Sequence, residues 1–348
     1  MKITCKLLFI LVFCKSLVSV FQFEVPFELD NNKLFVNVHI NNDDYKLLVD
    51  TGSYLTWYIE KGNKETNCLK YKGKKTSFLK KEKESLIIVN YESGFSIIEQ
   101  EKGKLNLIND IILHFTLGKA KCIDQKIRQK FEGILGLGIN QQSNLDNLFT
   151  SLSNFVNNEI NCFTLNFISK KIIFDKIDFS SKDNLISLEV DTISRFWEIE
   201  VTKFEINGYN LCDELVNYYS KCKVIFDTGT QYNTLPSTQI LEQFNSKIKC
   251  NNNNKLIIEF NNNHQINLGN ESIFQYSQSN LLKNKKIMFH SNSIGKIILG
   301  LNFILHHKII FDFKKKLIYF EKENYDLTSN NEKNELSNLI SEWKKIIY

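Results

Sequence analysis

The sequence predicts a mostly β chain folded as two related lobes, on three observations. Segments rich in Val, Ile, Phe and Tyr with partial alternation recur along its length. Segments with helical spacing are few. An apolar strand ending in Asp-Thr-Gly occurs twice, as LLVDTGS at 47–53 and VIFDTGT at 224–230. The length of 348 residues fits two domains, and 43% hydrophobic residues can fill two cores.

The elements follow in chain order. Residues 1–20, MKITCKLLFILVFCKSLVSV, place Lys2 and Lys6 before a short apolar run, which predicts a removed signal peptide; an uncleaved signal anchor is the alternative. Lys15 interrupts the run, making it a poor membrane span, and no other stretch is long and apolar enough for one. Strands are predicted at 33–40, 85–91, 162–168, 195–206, 255–260, 296–303, 307–313 and 316–320, and helices at 143–156 and 237–248, with Ser residues placed to cap them. The repeat then organises the chain. GILGLG at 133–138 follows the first Asp-Thr-Gly, and IILGL at 297–301 follows the second; Asp50 to Gly136 spans 86 residues and Asp227 to Gly300 spans 73. Two lobes facing one another would bring both turns to the centre.

Composition excludes several classes. The net charge of +5 is spread out, with no basic block interleaved with aromatics, so no nucleic-acid partner is expected. There is no CxxC and no HExxH, and the six His are scattered, so no metal site and no cofactor are expected. Beyond the leader lie Cys68, Cys122, Cys162, Cys212, Cys222 and Cys250, an even number that suits disulfides in an exported protein.

Two carboxylates at one site cannot both ionise cheaply, so Asp50 and Asp227 would share a proton. The ionised member can deprotonate a water while the protonated member polarises a carbonyl, which is amide hydrolysis without metal or covalent intermediate. Gly52 and Gly229 would let the backbone turn tightly beneath each carboxylate, and Ser53 and Thr230 could hydrogen-bond to it.

From about residue 24 to 322 the chain resembles the pepsin-like aspartic proteases, the two-lobed eukaryotic family. The resemblance implies two pseudo-twofold-related β-rich lobes, a central substrate cleft and a flap hairpin. Asp50 and Asp227 fall on the catalytic aspartates, Ser53 and Thr230 on the hydroxyl positions after each Asp-Thr-Gly, Trp57 on the tryptophan supporting the flap, and Tyr91 and Gly94 on the flap tyrosine and hairpin-tip glycine. FEGILGLG at 131–138 and ILGLNFILHHKIIFDF at 298–313 match the strands behind each loop, and FWEIEV at 196–201 matches the opening of the second lobe. The implied domains are 1–20 signal peptide, 21–185 first lobe, 186–322 second lobe and 323–348 tail. The resemblance pairs Cys212 with Cys222 and, by likeness to plant relatives, Cys68 with Cys122; Cys162 and Cys250 remain as a third pair.

The implied function is an aspartic endopeptidase, a monomer acting on extended peptides or proteins. It would reside in the secretory route, then be secreted or held in an acidic vacuolar, lysosome-like or secretory organelle. A catalytically silent member that binds peptides or inhibits is the alternative, but such members usually lose an Asp or the flap Tyr, and all three are present here. The chain departs from the family at Glu92, where Gly is usual, and at Leu301-Asn302, where most members have Asp first; no propiece is evident before the first strands. In the tail, Leu336, Leu339, Ile340, Trp343 and Ile347 share one helical face, which suits packing on the body, peripheral membrane contact or partner docking. Asn270 begins a glycosylation sequon.

Overall fold

A computed structural model describes residues 22–62, 86–91, 94–108, 111–123, 131–139, 147–155, 160–177, 185–191, 193–248, 256–261, 264–268, 274–275, 286–287 and 289–321. The leader, Cys68, Glu92, Cys250, Asn270 and the tail lie outside the described residues.

The fold is mostly β and bilobal, with a large sheet in each half. The first has the strand order Glu28–Asp30, Lys33–Ile40, Asp43–Asp50, Gly133–Gly136, Trp57–Tyr58, Ile111–Ile123, Gly94–Ile108, Leu86–Tyr91. The second runs Gln265–Leu268, Leu256–Phe260, Glu198–Ile206, Lys223–Phe226, Ile297–Leu299, Asn233–Pro236, Phe289–Asn292, with Tyr209–Asn210 alongside Glu198–Ile206. The same arrangement recurs at each centre. Asp43–Asp50 runs parallel to Gly133–Gly136 and ends with Asp50 opposite Gly136. Lys223–Phe226 runs parallel to Ile297–Leu299, with Phe226 opposite Leu299.

A six-stranded antiparallel sheet joins the halves, in the order Phe23–Pro26, Lys171–Asp175, Cys162–Asn166, Ile309–Asp312, Leu317–Glu321, Leu185–Glu189. Its centre is the pairing of Phe163 with Phe311. Those rings stack at 4.8 Å, and Trp197 meets both edge-on at 6.0 and 5.0 Å. These residues are fully buried in one continuous core spanning both halves.

Most predicted strands and both helices are present. The helix Thr238–Lys247 is capped by Ser237, whose Oγ accepts from Ile240 N. The helix Leu148–Phe155 is capped by Asn147, which accepts from Thr150 N at 2.8 Å. One strand needs correction: the segment 296–303 is strand only over Ile297–Leu299 and then turns into the short helix Leu301–Ile304 at Gly300. A helix that periodicity did not reveal, Leu211–Tyr219, is capped by Asn210 and carries Asp213 and Glu214 in its first turn.

Cys212 and Cys222 are bridged, their Cα atoms 5.2 Å apart, tying that helix to the strand leading into Asp227. Cys122 is disulfide-bonded, and its expected partner Cys68 is outside the described residues. The third expected pair is corrected. Cys162 is a buried thiol that donates to the Asp175 carbonyl at 3.3 Å, so it is not bridged to Cys250. It lies within the joining sheet, packed with Ile310 and Tyr319, and apolar packing in place of a bridge suffices there.

Candidate active site

Each Asp-Thr-Gly turn closes the end of a buried parallel strand. Leu47, Leu48 and Val49 bury the first strand, and Val224, Ile225 and Phe226 bury the second. Each following backbone is then held from behind. Leu137 N donates to Asp50 O at 2.9 Å, and Gly138 N to Ser53 O at 2.8 Å. On the other side Leu301 N donates to Thr230 O at 2.8 Å, and Asp227 N to Leu299 O at 3.0 Å.

The carboxylates receive matching donors. Gly52 N donates to Asp50 Oδ1 at 2.8 Å and Ser53 Oγ to Oδ2 at 2.6 Å. Gly229 N donates to Asp227 Oδ1 at 2.8 Å and Thr230 Oγ1 to Oδ2 at 2.7 Å. The glycines also explain themselves by proximity. A methyl on Gly52 would sit 2.6 Å from the Asp227 carboxyl carbon, and one on Gly229 would sit 2.6 Å from that of Asp50. Each carboxyl therefore rests on the other turn's glycine, where only a hydrogen fits.

The halves are locked by an exchange that sequence reasoning missed. Thr51 N donates to Thr228 Oγ1 and Thr228 N to Thr51 Oγ1, both at 3.0 Å. Thr51 Oγ1 donates to Phe226 O at 2.9 Å, and Thr228 Oγ1 to Val49 O at 2.8 Å. All four groups are buried. The signal is present in the sequence, since both turns carry Thr between Asp and Gly. Two further ties were also missed. Thr56 Oγ1 accepts from Gly136 N at 3.1 Å, and Asn233 Oδ1 accepts from Gly300 N at 3.0 Å. Trp197 Nε1 donates across the halves to Leu137 O at 2.7 Å.

Above Asp50, the hairpin of Leu86–Tyr91 and Gly94–Ile108 pairs Tyr91 with Gly94, whose φ of 143° suits glycine. Trp57 Nε1 donates to Tyr91 Oη at 2.6 Å, and Tyr91 in turn reaches Ser53. A polar chain thus runs from Trp57 through Tyr91 and Ser53 to Asp50. Burial and the neighbouring Asp50 raise the Tyr91 pKa, so its phenol keeps its proton. Burial first, then the charge of Asp227, push the Asp50 carboxyl well above the usual carboxylate range, against the opposing bonds from Ser53 and Gly52. Among the described residues no cluster of three or more His, Cys, Asp or Glu is placed to hold a metal ion.

The structure thus brings together Asp50, Asp227, Gly52, Gly229, Ser53, Thr230, Trp57, Tyr91 and Gly94. The family model for eukaryotic aspartyl proteases matches residues 35–322, and the chain belongs to that family. No curated protein matches the chain.

Proposed function

We propose that this protein is an aspartic endopeptidase in which Asp50 and Asp227 hydrolyse a peptide bond through one shared proton. The observation that carries the reading is the reciprocal packing of each carboxyl against the other turn's glycine, with equivalent donors on both. This pre-sets two carboxyls around one position where a water can sit.

Asp50, buried and with its pKa raised, holds the proton and hydrogen-bonds to the substrate carbonyl oxygen. Asp227, the more exposed member, takes a proton from the water as its oxygen attacks the carbonyl carbon. Asp50 passes its proton to the former carbonyl oxygen, and a tetrahedral diol results. Asp227 then gives that proton to the amide nitrogen as the C–N bond breaks. Asp50 recovers a proton from the diol hydroxyl, and the carboxylic acid and amine leave. The assignment names one microstate of a pair that titrates together. The substrate lies extended under the hairpin carrying Tyr91, and Tyr91 closes the site from above. The route is secretory or lysosomal, as is usual for the family, and an acidic compartment suits a pair that needs one proton.

The test is cleavage of a quenched apolar peptide across pH by the purified chain. A bell-shaped profile on the acidic side, abolished in Asp50→Asn and in Asp227→Asn, is expected. Turnover retained in a folded single variant overturns the mechanism, and a plateau at and above neutral pH overturns the shared proton.

A further inference from the structure

We propose that Arg195 is a specificity residue that selects an acidic side chain in the substrate beside the scissile bond; this rests on the endopeptidase reading. Arg195 belongs to the second half but lies over the ring of Tyr54, its guanidinium carbon 5.8 Å from the centroid. Tyr54 directly follows Ser53 and packs with Trp57 and Tyr91, so its ring borders the catalytic pair and the hairpin above it. Arg195 therefore stands where the halves meet at the edge of the cleft, with its side chain exposed.

The segment that carries Arg195 is firmly held. Ile193 N donates to Asp191 Oδ1 at 2.9 Å, and Ser194 N to Asp191 O at 3.0 Å. Phe196 N donates to Ser194 Oγ at 3.2 Å, and Ser194 Oγ donates to Glu198 Oε2 at 2.7 Å. Two residues on, the Trp197 indole is fixed to Leu137 O. The backbone on both sides of Arg195 is thus held by hydrogen bonds, which lowers the entropy lost on binding.

Among the described residues, the ion pairs of this segment do not engage Arg195. The carboxylates flanking it in sequence are Asp191 and Glu198. Lys223 pairs with both, and Lys296 also pairs with Glu198, whose side chain is fully buried. Lys296 further lies over the Phe196 ring at 5.7 Å. Among the described residues no carboxylate is paired with Arg195, whose guanidinium lies over the Tyr54 face. Lys223 and Lys296 thus take up Asp191 and Glu198, while Arg195 is exposed and stands outside these pairs. A planar guanidinium already seated on an aromatic ring keeps its edge donors for a carboxylate.

The test uses pairs of quenched peptides that differ only by Glu or Gln at one position flanking the scissile bond, at about pH 5.5, where Glu is ionised. One position should show a Glu-over-Gln preference in kcat/KM of about fivefold, the size of one exposed ion pair. The preference should fall to about one in Arg195→Gln, invert towards a Lys peptide in Arg195→Glu, and weaken with added salt. The same peptides are titrated by anisotropy onto Asp227→Asn, alone and combined with Arg195→Gln, which reads recognition without turnover. Equal handling of Glu and Gln at every position, or a preference that survives Arg195→Gln, overturns the proposal. A wild-type chain that cleaves nothing while its binding preference still depends on Arg195 sinks the endopeptidase reading and leaves the charge recognition standing. Cleavage without preference does the reverse.

Discussion

Asp50 and Asp227 accept equivalent bonds, yet their surroundings differ. Asp50 is 5% exposed, beneath a polar chain running from Trp57 through Tyr91 and Ser53. Asp227 is half-buried, and its strand is braced by the Cys212–Cys222 bridge and the Lys223 ion pairs. The inner shell is symmetric because each turn is built against the other. The surroundings differ because unlike residues build them, Trp57 and Tyr91 in one half and the Cys212–Cys222 bridge and Lys223 in the other. Symmetry thus supplies the paired carboxyls, and asymmetry supplies the deeper burial of Asp50, which with the Asp227 charge pushes its carboxyl well above the usual carboxylate range.

The largest effect should come from removing either carboxyl. Asp50→Asn and Asp227→Asn should each lower kcat by at least about a thousandfold, since both roles are needed for one proton circuit. A much milder loss in one than the other, measured with the same peptide, would break the comparison at its centre. Gly52→Ala and Gly229→Ala come next, with about a hundredfold loss in kcat/KM each, because the added methyl displaces the opposite carboxyl. Equal losses would show that the reciprocal contact matters equally in both directions.

Stability should separate the shells further. Thr51→Val and Thr228→Val each remove a buried hydroxyl that both donates and accepts across the halves, and should cost about 3 kcal/mol in denaturant unfolding. Replacing Cys212 and Cys222 together by Ser should cost about 2.5 kcal/mol, the value for closing so short a loop. It acts on the Asp227 half alone.

The smallest effect concerns pH and sharpens the asymmetry. The Asp50 carboxyl titrates near 3.9 in the unfolded chain and well above that in the fold. Between those values the folded state binds more protons than the unfolded one, so its contribution to stability falls as pH rises. Asp50→Asn should therefore melt at a higher temperature than wild type at neutral pH, and the gap should close as pH falls towards 4. A gap that widens on acidification would mean that Asp50 is stabilised as the anion.

The sequence made the doubled turn and the class of fold readable, because a strand ending in Asp-Thr-Gly is a local pattern that appears twice. It left three things unread. The Thr51–Thr228 exchange joins residues 177 apart, and no local pattern encodes a partner that far away. The long strands Gly94–Ile108 and Ile111–Ile123 contain a polar run, EQEKGK at 99–104, that blurs the alternation, and pairing with each other defines them. The helix Leu211–Tyr219 is short, and its packing against Glu198–Ile206 outweighs its weak spacing. Cys162 was assigned to a bridge by counting, and counting cannot see that its strand packs the sulfur among apolar side chains.

The joining sheet has a consequence for how the protein is made. Its central pair consists of Cys162–Asn166 and Ile309–Asp312, so the middle of the sheet waits for nearly the last strands to be synthesised. Until they emerge, Cys162–Asn166 presents a bare apolar edge of the kind that recruits other unfinished chains. The first half can acquire its own large sheet early, but it cannot close its floor. Biogenesis is therefore the moment of greatest exposure for this molecule, and a ribosome stalled before Ile309 would release a chain with a sticky, half-built base.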